Sequence, residues 1–262
     1  PGDLMANTPI ECLLEGGDVS LDMLYLAPWL PLPEEVPDHD VLFVAAGEPD
    51  RNQETLDLIA LLLPDWPRPA IHHPENISQL TRDGAEARLW GAPGLVIPRT
   101  ACIERETLAA IGNGTRAVTE FLSDGDFPII VRPVGSHAGR GLEKLDAVAD
   151  VVAYLETQPG THFYISRFVD YRSPDGQFRK YRIVLIDGKP FLCHLGISDH
   201  WMIHYLNAGM IESAEKRAEE AACMAGFDEG FAHRHKTALE AVYQRMGLAY
   251  LGIDCAETPD GQ

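Results

Sequence analysis

Between residues 162 and 197 the chain carries three runs dense in aromatic and β-branched side chains: His162 to Val169, Phe178 to Ile186, and Pro190 to Ile197. The last two meet at Asp187-Gly188, a pair that accepts the left-handed backbone a tight hairpin turn demands. This forces neighbouring antiparallel strands and rules out an all-helical chain. More elements of the same kind flank the hairpin. Phe127-Pro128-Ile129-Ile130-Val131-Arg132 reads as a strand, followed by a glycine-rich loop and a second short strand at Leu142 to Leu145. A helix from about Asp146 to Glu156 follows, with Asp146 as its cap. Helices at about Ser213 to Ala225 and Gly230 to Met246 precede a last strand, Ala249 to Ala256.

The N-terminal third has a different rhythm. Its first 37 residues are apolar and proline-rich, with Met23-Leu24-Tyr25-Leu26 reading as an edge or opening strand. Asp40 to Ala46 is a continuous apolar run ending at Gly47, as in a buried parallel strand. A helix from Asn52 to Leu62 places Leu56, Ile59, Ala60 and Leu63 at helical spacing, and Pro64 stops it. Strand Ala70-Ile71-His72, a helix over Ile77 to Leu89, and strand Leu95 to Pro98 complete a βαβ rhythm. Helical stretches fill 103 to 123, broken at Gly112-Asn113-Gly114. The expectation is an α/β domain over 1–98 and an α+β domain over 99–262, the latter in halves at about 99–170 and 171–262.

Charge narrows the function. The chain has 21 Lys+Arg against 40 Asp+Glu, a net charge of −19. Nucleic acid and anionic membranes both need a basic face, so neither is expected as a partner. Five scattered cysteines without a CxxC pair argue against a disulfide framework or zinc ribbon and for a reducing compartment. The start, Pro1 to Met5, has no basic segment followed by an apolar stretch, and the longest apolar run, Leu56 to Leu63, contains Asp57. A soluble cytoplasmic protein is the expectation.

Three elements carry chemistry. In Arg132 to Gly141, three glycines expose backbone N–H groups to an anion, with Ser136, His137, Arg132 and Arg140 adding donors and charge. No Walker lysine is present and a strand follows, so this is a flap on a hairpin; a plain structural turn is the alternative. Residues 167 to 189 then hold six cations, Arg167, Arg172, Arg179, Lys180, Arg182 and Lys189, against three acids. That reads as a polyphosphate or carboxylate site, or else as a salt-bridged surface. Finally, Asp254 interrupts an apolar strand and needs a partner, either a divalent metal or a salt bridge. Glu257 reads as a turn-flanking acid.

These elements, in this order, resemble the ATP-grasp superfamily, closest in flavour to glutathione synthetases and the ligases that add glutamate to ribosomal protein tails. The resemblance implies two α+β subdomains whose antiparallel sheets hold ATP between them, after an α/β domain. It implies an ATP- and magnesium-dependent enzyme joining a small-molecule or peptide carboxylate to an amine through an acyl phosphate. A nucleotide-binding module without catalysis, or a phosphotransferase, is the alternative. Phosphates fall to Arg132, Ser136, His137, Gly139, Gly141 and Arg182; the base to the hinge strand Tyr164, Ile165, Ser166, Arg167 and Phe168; magnesium to Asp254. Asn207 matches an asparagine near the triphosphate, so Arg132, Arg182 and Asn207 form the catalytic set.

Some positions depart from the family. Arg132 stands where a lysine is usual, Ser166 and Arg167 where Gln or Glu is usual, and Lys180 where an acid is frequent. The resemblance also implies a further strand with a Glu and an Asn beyond Gln262. His200 and His204 have helical zinc-ligand spacing, but Trp201 replaces the glutamate of that motif. With His194 they are expected either to contact an acyl phosphate or carboxylate, or to pack. His233-Arg234-His235 reads as a solvated helix face.

Overall fold

The computed structural model describes residues 8–33, 35–47, 49–137 and 139–262. The N-terminal residues 1–7 and Ala138 of the glycine-rich loop lie outside the described residues. The chain divides into two compact units, one ending at Ala85 and one running Glu86–Gln262.

The first unit contains α1 (Ile10–Leu14), β1 (Leu42–Phe43), α2 (Pro49–Leu62), β2 (Ala70–Ile71) and α3 (Pro74–Ile77), and α4 (Arg82–Leu89) carries the chain across the division. β1 and β2 pair in parallel, as the βαβ rhythm requires, with Leu42 opposite Ala70 and Phe43 opposite Ile71. Leu56 and Ile59 are buried one helical turn apart, and His72 is buried against the Phe43 ring at 4.8 Å. Two expectations fail here. Met23 to Leu26 forms no strand: the segment is extended, and Met23 and Tyr25 stay exposed. The helix expected over 77–89 breaks at Thr81, whose hydroxyl accepts from the Gly84 N–H and starts α4 afresh.

The second unit holds β3 (Thr100–Glu104), α5 (Arg105–Gly112), β4 (Ile129–Pro133), β5 (Glu143–Leu145), α6 (Val148–Thr157), β6 (His162–Arg167), β7 (Phe178–Ile186), β8 (Lys189–Ser198), α7 (Ala214–Ala225), α8 (Lys236–Met246) and β9 (Tyr250–Cys255). These strands form two antiparallel sheets, ordered β3-β6-β4-β5 and β8-β7-β9. Residues 95–98 form no strand; the strand comes a few residues later, as β3, where a helix was expected. Asp146 does not cap α6. It pairs with Lys144, and Asp150 reaches back to the N–H groups of Asp146 and Ala147.

Alternation along the strands explains the core. Ile129, Val131, Phe163 and Ile165 point to one face of the first sheet and pack with Leu108 and Ile111 of α5 and Val151 and Tyr154 of α6. Each such side chain contributes about 1.5–3 kcal/mol on burial. In the second sheet Tyr181, Ile183 and Leu185 are buried, with the Phe231 ring 4.1 Å from that of Tyr181. The opposite face of β7 is left to Lys180 and Arg182. The β7–β8 turn closes with Asp187 at φ 47° and Gly188 at φ 78°, as the dipeptide predicts. Between α7 and α8, Asp228–Ala232 winds as a π-helix. Among the described residues no helix is long and apolar enough to cross a membrane.

Candidate functional site

The glycine-rich loop leaves β4 after Arg132, which is 9% exposed and turns its guanidinium onto Ser136, meeting both its carbonyl and its hydroxyl. Gly135, Gly139 and Gly141 all lie at positive φ, which a side chain would strain. Turn bonds consume the N–H groups of Ser136, Arg140 and Leu142. Tyr154 donates to the Gly141 carbonyl at 2.7 Å and anchors the far end; burial pushes its phenol well above the ordinary value. The loop passes so close to His204 that a Cβ on Gly139 would lie 2.6 Å from Nε2. Among the described residues that nitrogen is buried without a partner, as is Nδ1 of His194.

β6 is an interior strand, laddered to β3 on one side from His162 to Ser166 and to β4 on the other from Phe163 to Arg167. Its backbone at Tyr164, Ile165 and Ser166 is therefore committed to the sheet, and Ile165 is fully buried. Arg167 pairs with Asp124 at 2.8 Å, and the Phe168 N–H donates to Pro128. Backbone groups without a partner among the described residues lie at Val169, the last residue of the expected hinge segment, and at Asp170, just beyond it. The rule that would have found them is that an interior strand has no spare edge.

The second sheet brings opposite charges into register. Arg182 on β7 stands directly across from Asp254 on β9 and from His194 on β8. Arg182 Nη1 donates to Asp254 Oδ1 at 3.1 Å, and Lys180 Nζ lies 3.4 Å from Oδ2. The guanidinium reaches Asp254 by lying across Gly252, where a Cβ would sit 2.9 Å from Nη2. Burial works to raise the Asp254 carboxyl, but the charges of Lys180 and Arg182 outweigh it, holding the group below the ordinary carboxylate value. At His194 burial dominates and lowers the imidazole, against the pull of Asp254. A bulge at Cys193, the extra residue of β8, adjoins this cluster.

The segment after β8 folds back over the sheet. A Cβ on Gly196 would meet Ile203, the Tyr205 ring lies tilted 5.0 Å from that of His194, and its hydroxyl donates to the buried Glu220 at 2.7 Å. No helix joins His200 to His204, so the zinc spacing is not realised. The Asn207 side-chain oxygen accepts from the His204 N–H and so caps the short turn that begins at Tyr205. The segment Met202–Tyr205 thus meets the glycine loop through Met202 and His204 and the sheet that carries Arg182 through Ile203 and Tyr205.

The structure does not gather all six cations. Arg172 sits by Asp170 and over the Phe178 ring, Arg179 is held between Asp175 and Glu219, and Lys189 rests over Phe191. Lys180 and Arg182 alone of the six meet Asp254. Two further expectations are corrected. His235 is buried, not solvated, and with Arg234 it meets Glu257, which is therefore an ion-pair partner and not merely a turn acid.

As to cofactors, the paired cations Lys180 and Arg182 fit a phosphate chain. Among the described residues no three His, Cys, Asp or Glu side chains cluster as a metal set, and Asp254 is the carboxylate that would offer a magnesium ion an oxygen beside the paired cations. Magnesium takes much of its shell from phosphate and water, and one carboxylate is compatible with that habit.

The two sheets with their glycine-bearing hairpin and charged face have the ATP-grasp fold. No protein-family model and no curated protein matches the chain. Among solved structures it is similar to VanG, a D-Ala:D-Ser ligase from Enterococcus faecalis, with 15% identity over 87% of the chain and a TM-score of 0.50. It is also similar to the carboxyaminoimidazole ribonucleotide synthase from Aspergillus clavatus, solved with ATP, at 13% identity over 85% of the chain and a TM-score of 0.52. The chain spans 62% of the first of these proteins and 51% of the second, less than two thirds of either.

Proposed function

We propose that the chain is the nucleotide-handling part of an ATP-dependent ligase that joins a carboxylate to an amine. The observation that carries this reading is the pairing of Arg182 and Asp254 across adjacent strands, with Lys180 beside them, on the sheet that the segment Met202–Tyr205 links to the glycine loop. In this reading the free backbone at Val169 and Asp170 receives the base. The loop N–H groups of Gly139 and Gly141 meet phosphate oxygens, and Arg132 keeps the Ser136 turn in shape for them.

Arg182 and Lys180 leave Asp254 and turn to the γ-phosphoryl group as the substrate carboxylate attacks it in line. The amine then displaces phosphate from the acyl phosphate. Magnesium held through Asp254 would screen the phosphate charge. The chain's own contribution is position and charge, without a covalent nucleophile. His194 and His204, each with a buried nitrogen that has no partner among the described residues, are the groups nearest to hand for an acyl phosphate or carboxylate.

The test is trapping. With ATP, magnesium, hydroxylamine and a panel of amino acids and peptides, the protein should form a hydroxamate in step with ADP, and Arg182→Ala should lower the rate by about a hundredfold. ATP binding without ADP release under any acid would refute the ligase reading in favour of a binding module. A stable phosphorylated product would refute it in favour of a phosphotransferase.

A further inference from the structure

The contact between His204 and the glycine loop has no task in the reading above. A Cβ on Gly139 would lie 2.6 Å from His204 Nε2 and 3.2 Å from Met202 Sδ, so these two side chains cover the loop at that residue. Glycine at such a position lets a backbone come close to a ligand. Here a side chain of the same protein has taken that place.

The ring can leave it without moving the backbone. The His204 N–H donates to Asn207 Oδ1 at 2.9 Å, and its carbonyl accepts from the Asn207 N–H at 2.9 Å. Ile203 beside it is buried. The main chain is thus pinned, and the half-buried imidazole is the movable part. Its Nε2 is buried without a hydrogen-bond partner among the described residues. A polar nitrogen held away from water carries a penalty that an apolar side chain at the same place would avoid. Rotation about the side-chain bonds would give Nε2 to water and uncover Gly139.

The groups assigned to phosphate are likewise closed on one another. The Arg132 guanidinium lies on Ser136, and Lys180 and Arg182 meet Asp254. Within the loop the Arg140 N–H donates to the His137 carbonyl and the Leu142 N–H to the Gly139 carbonyl. The N–H groups of Gly139 and Gly141 enter no backbone bond among the described residues, which leaves them to receive an anion.

We propose that His204 is a latch: in the ligand-free chain its ring lies over Gly139 and holds the loop shut against a polyphosphate, and the arriving triphosphate displaces it. The latch rests on the reading of the chain as a nucleotide binder and adds to it the regulation of the loop. Molecules divide between a shut and an open loop, and the apparent affinity for nucleotide is reduced by the open fraction.

The test compares the full chain with His204→Ala and with Met202→Ala, which thins the same cover and keeps the question open should the first variant fold poorly. In ligand-free protein, hydrogen exchange at the Arg140 and Leu142 amides reports how often the loop opens. Calorimetric titration with ATP, and separately with inorganic tripolyphosphate, reports affinity. No turnover enters, so any contact of His204 with an acyl phosphate leaves the readout untouched. Exchange in the His204→Ala loop should be about three- to tenfold faster, and both ligands should bind tighter by a similar factor. Weaker binding by His204→Ala would make the ring a phosphate ligand and overturn the latch. Unchanged exchange or unchanged affinity overturns it as well, with the nucleotide reading intact. Faster exchange with no ATP bound by any of the three proteins overturns the nucleotide reading, and the latch with it.

Discussion

Replacing Gly252 by alanine separates what Arg182 does for the fold from what it does at the site. The added Cβ would stand 2.9 Å from Arg182 Nη2 and 3.3 Å from Cζ. Carbon and nitrogen sit comfortably at roughly 3.5–4 Å, so the guanidinium must retreat by about 0.5–1 Å. Its bond to Asp254, 3.1 Å in the native protein, then lengthens beyond hydrogen-bond range. Both partners are over two fifths exposed, at 43% and 46%, so the loss costs stability little, about 0–1 kcal/mol. A clash with the tip of a flexible side chain adds little more, since nothing in the backbone has to move.

At the site the same shift is expensive. A guanidinium aimed at a phosphate through charge-assisted bonds contributes about 1.5–3 kcal/mol, so kcat/KM for ATP should fall about 10- to 100-fold. The measurement pairs thermal unfolding with magnesium-dependent ADP release. The expected result is a melting temperature within about 3 °C of the native value and a large loss of turnover. A protein that melts many degrees lower would mean that the Arg182–Asp254 pair is structural. Unchanged turnover would mean that Arg182 does not serve the phosphates, and either result refutes the reasoning.

Gly139→Ala should destabilise by more than Gly114→Ala in urea unfolding: both pay about 1 kcal/mol of left-handed strain, but Gly114 has open space around it and Gly139 has His204. Glu220→Ala strands the Leu195 N–H and the Tyr205 hydroxyl, and should cost about 2–3 kcal/mol in the same assay. Burial holds the His72 imidazole below its ordinary value of 6.5, so folding favours the neutral ring. That stability is present above pH 6.5 and drains away as pH falls below it, and thermal melts from pH 7.5 down to 5 should show a shallower decline in His72→Leu than in the native protein.

The sequence made the β7–β8 hairpin legible because the turn chemistry of Asp187-Gly188 and the alternation on either side agree. β9 was legible for a related reason: an aspartate inside an apolar strand demands a partner, and Arg182 and Lys180 supply it. β3 was not legible. Thr100 to Glu104 is short, runs straight into α5, and owes its extended form to a ladder with β6, some sixty residues later. Met23 to Leu26 failed in the opposite way, since it has strand-like residues and no neighbour to pair with. At the site, the cations of 167–189 looked like one cluster because spacing cannot foresee Asp124, Asp175 and Glu219, which draw Arg167 and Arg179 elsewhere. The approach of Gly139 to His204 depends on two distant loops and left no local trace.

The position of β6 has a mechanical consequence. Its ladders on both flanks make the first sheet a stiff plate up to Arg167, and the chain passes to the second sheet through one covalent link, Phe168 to Gln177. Any change in the gap between the plates must bend that decapeptide, where Tyr171 grips the Trp201 carbonyl and Phe168 rests on the Trp201 ring. The tryptophan thus ties the link, at Phe168 and Tyr171, to the segment after β8, and any bending there has to loosen its two contacts.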